Sequence, residues 1–200
     1  MSKLIKDNRG QGLIELLIAI FVVVVGIVAV VTLSISTITA ARESLATIEA
    51  ANLAREGIEV VRNIRDSNWL AAANGAEVDW DYNLYKEDGG DFDYVGALVF
   101  DPDNGTWSLN YDATDTRLWR LPDGTYVGSN AWGGSASGFY REIRTYPICD
   151  GGSLMGTVIE TGFCNPEPKI GVKIQSVITW NDKGRDRSTI AEENLYNWRQ

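Results

Sequence analysis

From Leu13 to Leu33 the chain runs 21 residues with only Glu15, Gly26 and Thr32 interrupting a succession of aliphatic and aromatic side chains. Wound as an α-helix rising about 1.5 Å per residue, the run covers about 31 Å, the thickness of one bilayer core. It is expected to span a membrane. Residues 1–10 carry Lys3, Lys6 and Arg9 against Asp7, and a basic flank of this kind stays on the cytoplasmic side. Of the chain's 18 basic and 27 acidic residues this flank takes three and one, so everything beyond Gly10 has a net charge of −11. That balance suits a soluble domain outside the cytoplasm and repels nucleic acid and anionic lipid, so no direct nucleic-acid binding is expected.

Glu15 is the anomaly in the run. A carboxylate inside a spanning helix costs about 2.5–3.5 kcal/mol on insertion scales, which makes an intramembrane acid a functional residue in need of a partner. The plainer alternative puts it at the membrane edge, reaching the headgroups. A conventional secretory signal, cut near Ala40 or Ala41, would share the basic start and apolar core, but 21 residues exceed the usual apolar region and Glu15 spoils its beginning. An uncleaved single-span anchor fits the length and leaves Gly10 and Glu15 without a reason.

The composition then changes near residue 70. Of 20 aromatic residues only Phe21 precedes Trp69, and 16 of 20 glycines fall at or after Gly75. A helical rod is therefore joined to a turn-rich globular domain. Within the rod, Ala46, Ala50, Leu53, Gly57, Val60 and Ile64 recur at steps of four and three, one stripe of a helix that wants a partner surface. Arg55, Glu59 and Arg62 on the opposite face are spaced for local ion pairs in water. A continuous helix from Gln11 to Trp69 would extend about 88 Å. The β-branched stretch between Val28 and Thr39 offers poor helix formers, where the helix could loosen; with no proline there, an unbroken helix is the simpler expectation.

In the second part, Val172 to Trp180 alternates as a half-buried strand, with Val172, Ile174, Ser176, Ile178 and Trp180 on one face. Asn181-Asp182-Lys183-Gly184 follows as a turn, and Arg187 to Tyr196 returns as the second arm of a hairpin whose less regular alternation suggests a bulge. Tyr140–Ile148, Val95–Phe100, Thr106–Tyr111, Arg117–Leu121 and Thr125–Val127 are further strand candidates, and Gly133 to Gly138 reads as a flexible loop. An antiparallel sheet laid on the striped half of the helix satisfies both apolar faces, which makes the fold class α+β.

No catalytic residue emerges. The chain has no histidine, which removes the commonest general base, the usual metal ligand and any Ser-His or Cys-His system. Asp101-Pro102-Asp103-Asn104-Gly105 lacks the glycine and terminal glutamate of a calcium loop and reads as a turn. No metal or cofactor is expected. Cys149 and Cys164, the only cysteines, would pair outside the cytoplasm, a closure of about 3 kcal/mol in the chain-entropy model. Aromatic side chains could stack on sugars, and Trp107, Trp119 and Trp132 lie in turn-rich sequence, although most aromatics of such a domain serve its core.

The stretch Arg9 to Ile20, RGQGLIELLIAI, resembles the processing motif of type IV pilins and pseudopilins: a basic leader, a glycine, the cut, and a glutamate fifth in the mature chain ahead of a long apolar run. The resemblance implies that residues 1–10 are a leader removed by a prepilin peptidase after Gly10. Gln11, where the family more often has phenylalanine, then becomes an N-methylated terminus. It also implies that Glu15 serves subunit assembly by meeting the N-terminal amine of a neighbour, a pair that selects register more than it adds affinity. The implied architecture is a long helix over 11–69, membrane-spanning at 13–33, with a pilin-like extracytoplasmic β-rich domain over 70–200. The implied role is a filament subunit, stored in the inner membrane and passed by an assembly platform into a pilus or pseudopilus of like subunits. The absent proline and the aromatic-rich domain lean toward a minor subunit. A membrane-anchored lectin or adhesin that never polymerises is the rival reading.

Overall fold

The computed structural model describes residues 11–84, 95–101, 103–129, 133–152, 155–160 and 164–197. One α-helix, α1, occupies Gln11–Ala73 without a break, four residues past the expected end. The chain divides into two compact units, Met1–Ala46 and Thr47–Gln200. The second half of α1 packs into the β domain and belongs to its core.

In the first unit every large apolar side chain from Leu13 to Leu45 is exposed, and none of the most apolar window is buried. The helix is long and apolar enough to cross a membrane. The hydroxyls of Thr32, Ser34 and Thr37 each donate to the carbonyl four residues earlier, on Val28, Val30 and Leu33, all at 2.9 Å. These side chains thereby satisfy themselves on their own helix, which is how polar residues persist where no water is available. The β-branched stretch stays helical.

In the second unit the described residues beyond α1 form an antiparallel sheet of eight strands: β1 (Val95–Asp101), β2 (Thr106–Asn110), β3 (Arg117–Arg120), β4 (Tyr126–Val127), β5 (Ser135–Cys149), β6 (Thr157–Val158), β7 (Lys169–Asp182) and β8 (Arg185–Tyr196). The 15-residue β5 is its spine. Along one edge it pairs with β7 from Phe139 to Cys149. Along the other it meets β3, β1 and β6 in succession. Strand β4 extends β3, β2 extends β1, and β8 extends β7.

Several strands differ from the sequence reading. Ser135 to Gly138, expected as loop, are the first residues of β5 and pair with β3 through Trp119 and Arg120. Gly and Ser are weak strand formers alone, but here a neighbouring strand supplies the backbone partners. The β7–β8 hairpin keeps one register from Gly171↔Tyr196 to Asp182↔Arg185 and has no bulge. Its alternation looks irregular in sequence because Arg187 and Glu193 occupy inward-facing positions. Lys183 and Gly184, with φ of 52° and 80°, make the two-residue turn that such a hairpin requires. The two-residue β6 is too short to carry a periodic signal of its own.

The expected stripe of α1 faces the sheet. Ala50, Leu53, Gly57, Val60 and Ile64 are buried, and Ala54, Ile58 and Val61 widen the face. Of these, Ile58, Val60, Val61 and Ile64 pack with Leu84, Leu98, Leu109, Ile143, Val172, Ile174 and Leu195. Gly57 is required by the closeness of this packing: a Cβ there would lie 2.3 Å from Ser176 Oγ and 3.2 Å from Ile143 Cδ1.

Candidate functional site

Gly10 lies outside the described residues, and Gln11, the first described residue, is helical. Glu15 is exposed one helical turn later. Residues 11 and 15, at i and i+4, therefore share one face of the helix. Glu15 is the sole acid among exposed apolar side chains from Leu13 to Leu33. From Leu13 to Leu33 the helix thus carries one carboxylate on an otherwise largely apolar surface, long enough to cross a membrane.

Within the second unit, polar contacts at three levels of α1 tie it to the sheet. Tyr126 on β4 donates its hydroxyl to Glu49. Burial, helped by the Glu49 carboxylate, pushes that phenol up to about 12. Arg141 on β5, 2% exposed, donates from Nη1 to Glu56 Oε1 at 3.1 Å, and burial lowers its affinity for the proton. Arg62 donates from Nη1 to Glu59 at 2.6 Å and from Nη2 to Glu193 on β8 at 2.7 Å. The Glu193 bond is the main reason its guanidinium holds its proton more tightly. The sequence places Arg62 in a purely local, solvated pair with Glu59; that pair exists, and Arg62 also clamps the sheet. Nothing in the local pattern could reveal Glu193, which is 131 residues away.

Cys149, at the end of β5, is joined to Cys164 with Cα atoms 5.3 Å apart. The bridge closes a loop whose β6 returns to pair with Ile148 and Cys149. Gly156, at φ of 66°, passes so close to Cys149 O and Ile170 that a Cβ would lie 2.7 Å from each. The loop is thereby held against the sheet.

Asp103 to Gly105 lie in a turn after β1, as expected: Asp101 Oδ1 accepts the Asp103 N–H at 3.0 Å, and Oδ2 accepts Asn104 Nδ2 at 2.6 Å. The Asn104 contact leads in holding the Asp101 carboxyl below its ordinary range. Among the described residues, no group of three His, Cys, Asp or Glu side chains is arranged to hold a metal ion. Trp107 and Trp119 are half-buried, and Trp132 lies outside the described residues. Comparison with protein-family models, with curated proteins and with solved structures finds no match.

Proposed function

We propose that the chain is a structural subunit of a type IV pilus or pseudopilus. In this reading it waits in the inner membrane with its first residues in the cytoplasm. Prepilin peptidase cuts after Gly10, and the chain is then packed through its apolar helix into a helical filament. The observation that carries the reading is the first unit of α1, an unbroken helix whose large apolar side chains are all exposed and whose single early acid follows Gln11 by one turn. Such a surface is costly in water, at about 25 cal/mol per Å2 of apolar area, until lipid or other rods cover it. The RGQGLIELLIAI motif supplies the processing half of the proposal, and the disulfide suits a domain outside the cytoplasm.

Cleavage precedes assembly because it creates the amine that Glu15 would meet. Two separate intramembrane charges then become one compensated pair, repeated at every subunit step, and a head-to-tail contact that does not close on itself yields a fibre. The mass of the N-terminal peptide from cells tests the first half: a methylated Gln11 terminus is expected, and an intact Met1 or a start near Ala41 refutes it. Glu15→Ala tests the second: the domain should fold while incorporation into filaments is lost. Unchanged polymer yield from that variant would leave the rival reading, a membrane-anchored binding module that never polymerises.

A further inference from the structure

We propose that the edge of the β domain carries a binding cleft for a neutral saccharide, a role beyond that of a filament subunit and independent of it. The cleft, about 300 Å3, lies where the last turns of α1, the Tyr82–Asn83 turn and the β1–β2 hairpin come together. That size is at the small end of ligand pockets. In a chain whose residues are 22% charged, none of the ten lining residues is Asp, Glu, Lys or Arg. Amides, hydroxyls and two aromatic rings make up most of the wall.

Each component suits a sugar. Tyr82 is 66% exposed at the rim, and Trp107, half-buried, has its cross-strand partner Phe100 beside it, ring centroids 4.9 Å apart. Aromatic faces of this kind match the C–H face of a pyranose. Asn68 is half-buried and spends its amide N–H groups on Trp80 O at 3.2 Å and Tyr82 O at 2.8 Å. It fixes the turn that presents Tyr82 and keeps Oδ1 as an acceptor. Asn63 and Ser108 have no side-chain partner among the described residues and add donors and acceptors together, the mixture that sugar hydroxyls require.

An apolar ligand would leave those groups unpaired, at a cost for each that is buried. An anion would find no cation on the wall among the described residues. A second depression of about 530 Å3 shares Tyr82, Asn83 and Ser108 and continues to Asp112. Tyr82 borders both, so a ligand longer than one ring can lie across it.

The test uses the full chain in polyoxyethylene-detergent micelles, which carry no sugar headgroup. It is applied to an array of neutral and anionic oligosaccharides, and calorimetric titration follows with the neutral disaccharide best retained. Neutral glycans should be retained, and Tyr82→Ala and Trp107→Ala should each weaken binding by about tenfold or more. Tyr82 is exposed enough that its truncation should leave the fold intact, so it decides the matter if Trp107→Ala does not fold. Retention of anionic glycans alone, an empty array, or undiminished binding by folded Tyr82→Ala overturns the proposal. Tyr82→Ala should still enter filaments and Glu15→Ala should still bind sugar, so this cleft and the subunit reading fail separately.

Discussion

Replacing Gly57 by alanine should destabilise this protein, although the same change stabilises an ordinary exposed helix by about 1 kcal/mol. The added Cβ would sit 2.3 Å from Ser176 Oγ, 3.1 Å from Ser176 Cβ and 3.2 Å from Ile143 Cδ1. Overpacking of this kind costs about 1–3 kcal/mol, so after the helix gain the net loss is up to about 2 kcal/mol. Ser176→Gly removes both serine atoms. Combined with Gly57→Ala, it should recover much of that loss, a coupling on the order of 1–3 kcal/mol in a double-mutant cycle. Denaturant titration of the micelle-bound full chain, followed by tryptophan fluorescence, reads all four variants. A Gly57→Ala protein more stable than the parent by the full helix increment, with no coupling to position 176, would refute this register of α1 on the sheet.

Glu56→Gln should cost about 1–3 kcal/mol, since it leaves the Arg141 cation buried without its carboxylate. The figure is reduced from that of a fully buried pair because the Glu56 side chain is 43% exposed. Arg141→Met should cost less in the same denaturation assay, because it removes the buried charge instead of stranding it. Alkaline titration should show stability intact below about pH 10 and falling toward pH 12. The Tyr126 phenol rises from 10.0 to about 12 on folding, so the unfolded chain releases its proton first; Tyr126→Phe should lessen that decline, and the Tyr111 phenol, also pushed up by burial, supplies the rest. Reducing the Cys149–Cys164 bridge, or replacing both residues by serine, should cost about 3 kcal/mol in chemical denaturation. An unchanged midpoint would show that the loop is held by its packing alone.

Elements whose pattern is local are legible in the sequence by itself. The apolar run at 13–33 declares a helix by composition, and the stripe from Ala46 to Ile64 declares its buried face by period. Val172 to Trp180 declares a strand by strict alternation. The turns at Asp103–Gly105 and Lys183–Gly184 follow from side chains that bond their own backbone or accept positive φ. The pairing of Cys149 with Cys164 is legible from there being two cysteines, not from any knowledge of where β5 ends.

What escapes has one physical cause: the deciding partner is far away in sequence. Ser135 to Gly138 look like loop until β3 offers its edge. Arg62 looks solvated until Glu193 arrives from β8. Trp107, Tyr82 and Asn68 are ordinary in their own neighbourhoods and become one cleft only when the end of α1 meets the β1–β2 hairpin. Period and composition act over a few residues and so determine which elements form and which face each buries. Register, buried ion pairs and cleft walls are set by contacts between elements, and those exist only once the chain has packed.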